Sequence, residues 1–276
     1  MMSDSGHSPL YGQVALVTGG GRGIGRAIAF ALADAGAAVA VIARSQSEIN
    51  ETASIIRERG GRAVGLMADV TDHVAVDASA AQAAQQLGPI DVLVNNAGAS
   101  GVALPLWEAD PKEWWRTVEI NLRGPMLFAR AVLPSMIRRR FGTIVNVGSY
   151  AGIRASSGGG LGPYATSKAA LIRFTDSLAA STDEHNVRVF TISPGLVHTA
   201  MTDTTDLFKS VPQSAWSPPQ AAATLVVRLA AREGTLLNGR FIHVNDDLDE
   251  LLREAPGIKA RGLYTLRLIN PAGPVE

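Results

Sequence analysis

The stretch GPYATSKAAL places Tyr164 and Lys168 four residues apart at the start of a helical segment. Residues i and i+4 share one helix face, so the lysine ammonium can sit beside the phenol. A neighbouring positive charge lowers a phenol pKa from its ordinary value of about 10, and proton transfer improves as a pKa approaches the working pH. The pair is therefore a candidate for acid–base chemistry. Chance can also supply it: with 4 tyrosines and four lysines in 276 residues, some tyrosine has a lysine at i+4 in roughly 6 percent of such chains. Its meaning depends on its neighbours. Ser149 stands upstream, directly after the strand-like run GTIVNVGS. It does not read as a hydrolase nucleophile, because GSYAG is not G-x-S-x-G and no base is evident. His7, His73, His185, His198 and His243 lack metal-ligand spacing, so no metal site is expected. His198 reads as a loop histidine. Cysteine is absent, which removes thiol nucleophiles, thiolate metal sites and a disulfide framework.

A second constellation lies near the start. The first strand runs into TGGGRGIGRAIAFAL, where Gly19, Gly23 and Gly25 open a helix. Glycines there permit a tight turn, close backbone approach to a phosphate and close helix–strand packing. The helix N-terminus then offers free N–H groups and a positive dipole to a pyrophosphate. A glycine pattern alone also fits an empty turn; its place between a strand and a helix favours a nucleotide. The second strand ends VAVIARS, with Ala43 and Arg44 where many NAD-binding folds carry an acid for the ribose hydroxyls. An acid repels a 2′-phosphate, whereas a guanidinium holds one bidentately. Arg44, helped by Arg22 in the glycine turn, favours NADP(H) over NAD(H), against the alternative of a solvated loop arginine.

The elements that position these residues follow from periodicity. Seven near-continuous apolar runs read as strands: QVALVT, AAVAVIA, RAVGLMAD, IDVLVNN, GTIVNVGS, VRVFTIS and RFIHVN. Alanine-rich, helix-period segments separate them, which predicts an α/β chain: a single doubly wound Rossmann domain with a seven-stranded, mostly parallel sheet and helices on both faces. Asp110, Pro111 and Glu113 mark one helix start by N-cap, N1 proline and capping-box acid, and that helix is expected to run to the arginines 138–140, a solvated end. Trp114 and Trp115 adjoin this start, one expected in the core and the other at the surface. A soluble composition, 46% hydrophobic and 18% charged with zero net charge, gives no general reason to seek nucleic acid or anionic membrane. The stretch AIAFALADAGAAVAVIA is too interrupted for a membrane span, and the first ten residues carry no signal-peptide pattern. The expectation is a cytoplasmic protein.

The chain resembles the short-chain dehydrogenase/reductase family in TGGGRGIG at 18–25, ADV at 68–70, NNAG at 95–98, Asn121, Ser149, YATSK at 164–168 and SPGLVHT at 193–199, over about residues 11–245. The resemblance implies a hydride transfer between a nicotinamide and a carbonyl or secondary alcohol. Ser149, Tyr164, Lys168 and Asn121 would form the catalytic tetrad, with Tyr164 the acid or base, Ser149 on the substrate oxygen, and Asn121 holding a water that relays protons to Lys168. Thr18, Gly19, Arg22, Gly23, Ile24, Gly25, Arg44 and Ser45 would hold the adenosine and pyrophosphate. Asp69 and Val70 would contact the adenine, and Asn96, Ala97 and Gly98 the ribose, with Asn95 bracing the strand. Pro194, Gly195, Val197 and Thr199 would line the nicotinamide, beside Tyr164 and Lys168. A homotetramer or homodimer is the family expectation.

Three regions are expected: a loose tail over 1–10, the dehydrogenase domain over 11–245, and a C-terminal extension over 246–276. The extension departs from the family pattern at Asn245, Asp246 and Asp247, and reads as a short amphipathic helix followed by a strand-like LYTLRLI, covering a subunit edge or shaping the substrate mouth. TAMTDTTDLFKSVPQSAWSPPQ reads as a substrate lid, with Leu207, Phe208 and Trp216 its candidate contacts. An NAD-dependent dehydrogenase, a non-redox dehydratase or isomerase, and a nucleotide-sensing protein are the alternatives on the same scaffold.

Overall fold

The computed structural model describes residues 8–154, 162–203, 208–270 and 273–274. Residues 1–7 of the tail expected over 1–10, most of the glycine run at 155–161, and Leu207 of the expected lid lie outside them; Leu10, by contrast with the expected looseness, is fully buried and donates its N–H to the Ala35 carbonyl at 2.9 Å. The strands are β1 (Val14–Thr18), β2 (Ala38–Ala43), β3 (Ala63–Met67), β4 (Val92–Asn95), β5 (Gly142–Val147), β6 (Val187–Ser193) and β7 (Phe241–His243). They form one sheet in the order β3-β2-β1-β4-β5-β6-β7, every pairing parallel. All seven expected strands are present. Parallel strands are covered on both faces, which is why every residue of β1, β4 and β5 is buried.

The helices are α1 (Gly23–Asp34), α2 (Gln46–Glu58), α3 (His73–Leu87), α4 (Pro111–Val118), α5 (Gly124–Arg139), α6 (Gly162–Thr182), α7 (Ala200–Asp203), α8 (Pro219–Ala230) and α9 (Leu248–Ala260). One core lies under α1, α8 and α9, with Ile28, Leu32, Val226, Leu229, Leu251 and Ile258 fully or nearly buried. The other lies under α3 and α5, around Val76, Phe128, Val132 and Met136. The chain steps outward from β1 to β3 and then returns to β4 on the other side of β1. That reversal opens a crevice at the carboxyl ends of the strands, where such sheets bind ligands.

Two sequence expectations need correction. The helix that starts at Asp110 does not run unbroken to the arginines. Asp110 Oδ1 caps it, accepting from Lys112 N at 2.9 Å, but a π-helical turn at Glu119–Arg123 separates α4 from α5. Its far end is also not merely solvated, since Arg139 pairs with Asp91 at 2.5 Å and donates to the Ile90 carbonyl. Nor is LYTLRLI a strand. After α9, capped by Asp247, Tyr264 adopts φ +59° and turns the chain. Arg267 then reaches Asp176 on α6 at 3.0 Å, and only Ile269–Asn270 pairs, antiparallel with Gly273–Pro274. The extension does cover the outer edge of β7: Phe241 N donates to the Tyr264 carbonyl at 2.8 Å.

Candidate functional site

A cavity of about 1060 Å³ runs across the crevice. At one end stand Gly21, Arg22, Arg44, Ser45 and Glu48; at the other Tyr164, Lys168, Pro194, His198 and Thr199; Asp69, Val70 and the segment Asn96–Gly98 lie between. The glycine turn closes its floor. Gly19 and Gly23 take φ +62° and +55°, a region that disfavours side chains. A Cβ on Gly25 would lie 2.2 Å from the Gly19 carbonyl oxygen, so only glycine allows the helix to start this close to the strand. Gly23 and Ile24 line the cavity at the α1 N-terminus. Thr18 and Asn96 hold the turn from behind: Asn96 Nδ2 donates to the Thr18 and Gly19 carbonyls at 3.0 and 3.2 Å, and Thr18 Oγ1 accepts from Asn96 N and Ala97 N. Thr18, Gly25, Gly195 and Val197 stand behind the lining rather than in it. Size, glycine cradle and polar ends together fit a dinucleotide.

At the end of the cavity beside β2 the structure adds a group that the strand-end reading did not anticipate. No acid terminates β2, but Glu48 in the first turn of α2 lines the cavity, with Oε1 3.8 Å from Arg22 Nη1. Ser45 is the N-cap of α2 and accepts from Glu48 N at 3.4 Å. Asp69 turns its carboxylate inward to Thr71 N, the Thr71 hydroxyl and Arg116 Nη2. Burial raises its pKa, but the Thr71 and Arg116 contacts outweigh burial and hold it below the usual carboxylate range. What this offers the cavity is a fixed loop, with Val70 on its wall. Asn95 braces β4 through Asn146 Oδ1 at 2.8 Å, and Asn146 in turn reaches Thr175 on α6.

At the far end Tyr164 and Lys168 stand on one face of α6, with Lys168 Nζ 5.7 Å from the centre of the phenol ring. Nζ donates to the Val147 carbonyl at 2.7 Å. Burial lowers the Lys168 pKa to about 8. The expected lowering of the phenol pKa is not what this structure holds: burial raises it, and the hydrogen bond with Ser149 only partly offsets that. The Lys168 ammonium stands over the phenol ring while bound to the Val147 carbonyl, and desolvation of the phenol is the larger effect. Asn121 lies fully buried in the π-helical turn. Its Oδ1 accepts from Ala99 N at 2.9 Å, and its Nδ2 donates to the Ala99 carbonyl at 2.8 Å and to Ser167 Oγ at 2.9 Å. Ser167 donates onward to the Tyr164 carbonyl at 2.7 Å. Sequence reasoning passed over Ser167, although it stands inside YATSK. A Cβ at Gly98 would lie 3.2 Å from Asn121 Oδ1 and 3.8 Å from Lys168 Nζ, so glycine keeps the space between them open.

His198 stacks face to face on Trp216, with ring centres 3.6 Å apart, and Phe208 meets Trp216 edge-on at 6.3 Å. Of the expected lid contacts, Phe208 and Trp216 thus pack behind His198, which itself lines the cavity and whose Nδ1 is 3.7 Å from Asp203 Oδ1. Trp114 and Trp115 stack on each other, with Trp115 exposed and Trp114 half-buried. Among the described residues no acidic, histidine or cysteine cluster could hold a metal ion, and no helix is long and apolar enough to cross a membrane.

Comparison with known proteins gives a concordant result. The family profile described as short chain dehydrogenase matches residues 13–209. The short-chain reductase protein NovJ of Streptomyces niveus is 39% identical over 245 residues, spanning 84% of this chain and 92% of that protein. Among solved structures, a 3-oxoacyl-[acyl-carrier protein] reductase with bound NAD from Brucella melitensis is 33% identical with a TM-score of 0.78, covering 86% of this chain and 91% of that one. A blue fluorescent protein from a metagenomic library, in complex with NADPH, is 35% identical with a TM-score of 0.78, covering 86% and 97%.

Proposed function

The chain belongs to the short-chain dehydrogenase family and is an NAD(P)(H)-dependent oxidoreductase, and on that premise we propose that it reduces a ketone with NADPH, or oxidises the matching secondary alcohol, with Tyr164 as the acid or base. The observation that carries this reading is a single cavity lined by the glycine turn at one end and, at the other, by Tyr164 and Lys168, whose ammonium is hydrogen-bonded to the Val147 carbonyl. When bound, the nicotinamide supplies or accepts the hydride.

Ser149 stands beside Tyr164, where its hydroxyl eases the burial of the phenol, and a carbonyl oxygen placed between the two would receive two hydroxyl donors. Tyr164 Oη delivers its proton to that oxygen in reduction and takes it back in oxidation. Lys168 sits below the same helix face and supplies the charge that stabilises the phenolate. The open space beside Gly98 supports Asn121 as the holder of a water on the lysine side. Pro194 and Thr199 line the nicotinamide end, and Arg22 and Arg44 the adenosine end, where a guanidinium favours a 2′-phosphate. Exposed Leu106, Trp107 and Trp115 support a homodimer or homotetramer.

NADPH and NADH consumption against a panel of ketones, quinones and acyl thioesters tests the reading. Tyr164→Phe is expected to lower turnover by at least about 100-fold while the affinity for NADPH stays within about twofold. Undiminished turnover would overturn the assignment, and turnover of a panel member without coenzyme consumption would point to the non-redox alternative.

A further inference from the structure

We infer that Glu48 is a coenzyme-discriminating residue that opposes the 2′-phosphate, so that the chain accepts both NADPH and NADH; this rests on the reading that a nicotinamide dinucleotide occupies the cavity. Three observations carry it. Glu48 lines the same end of the cavity as Arg22, Arg44 and Ser45. Its Oε1 is 3.8 Å from Arg22 Nη1, so one of the two guanidiniums that would meet a 2′-phosphate already faces a carboxylate. Finally, its place is built into the backbone. The Glu48 N–H is held by the Ser45 cap, and a Cβ on Gly21 would lie 2.8 Å from Glu48 Cβ and 3.1 Å from Oε2. Only glycine at position 21 lets the carboxylate lie against the phosphate turn.

The neighbouring charges leave this balance to Glu48. Arg26 is tied to Glu51 at 2.8 Å and to the Gly21 carbonyl at 2.7 Å, and so is already engaged. Thr52 caps the Gly21 and Glu48 carbonyls. The adenosine end therefore presents two guanidiniums and one carboxylate. A carboxylate accepts from ribose hydroxyls and repels a phosphate, so the same side chain aids NADH and penalises NADPH. The strand-end acid used by many NAD-binding folds is replaced here by an acid from the following helix, set against an arginine.

Binding distinguishes this from the parent reading without any substrate. NADPH and NADH are titrated into wild type, Glu48→Gln and Arg44→Ala, following reduced-coenzyme fluorescence at low and at high salt. Calorimetry with 2′,5′-ADP and 5′-AMP isolates the adenosine end. Wild type is expected to bind both coenzymes. Glu48→Gln is expected to raise the NADPH preference about fivefold, the upper range for a partly exposed charge pair, and Arg44→Ala to lower it. The Glu48→Gln effect should shrink in 1 M salt, where screening is strong. An unchanged NADPH to NADH ratio in Glu48→Gln, or an equal change for both coenzymes, overturns the inference alone. If neither coenzyme binds wild type, the dinucleotide reading falls with it.

Discussion

Lys168 is a cation with no carboxylate beside it among its described contacts, held by one carbonyl in a nearly closed pocket. Burial brings its pKa from 10.5 to about 8. In the coenzyme-free protein below pH 8, the ammonium is kept charged at a cost; the unfolded chain binds that proton more tightly, so stability rises as pH climbs from 8 towards 10.5. The raised pKa of Tyr164 acts in the opposite sense above pH 10, where the unfolded phenol ionises first. The climb is therefore confined to about pH 8–10. Lys168→Met removes the charge and keeps the volume, and is expected to stabilise the coenzyme-free protein at pH 7 by about 1–2 kcal/mol, with the gain fading towards pH 10. Urea unfolding across that range checks this, and a variant less stable than wild type at pH 7 would contradict it. A residue that destabilises its own fold is what a site built for chemistry, rather than packing, looks like.

The π-helical turn at Glu119–Arg123 is the element that joins the two halves of the site. It directs Asn121 into the interior, and Asn121 ties the Ala99 backbone to Ser167 on α6. Ser167 then holds the Tyr164 carbonyl, so the first turn of α6 is positioned from α4–α5 as well as from its own ladder. Single-turn π segments recur at functional sites, and here the extra residue per turn aims one amide at a neighbouring helix. If Ser167 acts through Asn121, the two side chains are one unit and their effects are non-additive. Ser167→Ala and Asn121→Ala are each expected to lower the rate of hydride transfer by about tenfold or more, and the double variant by little more than the larger single effect. KM for the ketone should move less than kcat, and Ser167→Thr should restore part of the rate. Strictly additive losses, or a fall in Tm with kcat unchanged, would reduce Ser167 to a packing role.

At the scale of the whole molecule, one edge of the sheet is closed off. The outer edge of β7 is covered by the chain itself, through the Tyr264 carbonyl, and Arg267 fastens that cover to Asp176. An occupied edge removes the commonest route to strand-to-strand association. Trp107 is 85% exposed and Trp115 59%, with Leu106 exposed beside Trp107; large apolar side chains left in solvent on and just before α4 are of the kind that mark an interface. Self-association is therefore expected through the α4 side and not through β7. Light scattering on the double variant Trp107→Glu/Trp115→Glu should show a smaller assembly than wild type, with the coenzyme site intact. Arg267→Ala should leave the mass unchanged. An unaltered mass in the tryptophan variant would place the contact elsewhere.

The strands, the glycine turn and the Tyr164–Lys168 pair were legible in the sequence because each is a short-range pattern. Apolar runs must be buried between helices, Gly19 and Gly23 permit a backbone that side chains forbid, and i, i+4 spacing shares a helix face. Ser149 could be assigned to the same site because it follows a strand end on the ligand side of the sheet. What only the tertiary structure decided was each group's partner. Glu48 is four residues from Arg44 in the chain, yet its role comes from Arg22, placed beside it by the pairing of β1 with β2. Ser167 matters because Asn121, far away in sequence, arrives there through a π-helical turn that no periodicity announced. The direction of the Tyr164 pKa reversed for the same reason. Spacing put a cation within reach, but desolvation, a product of the assembled fold, is the larger effect.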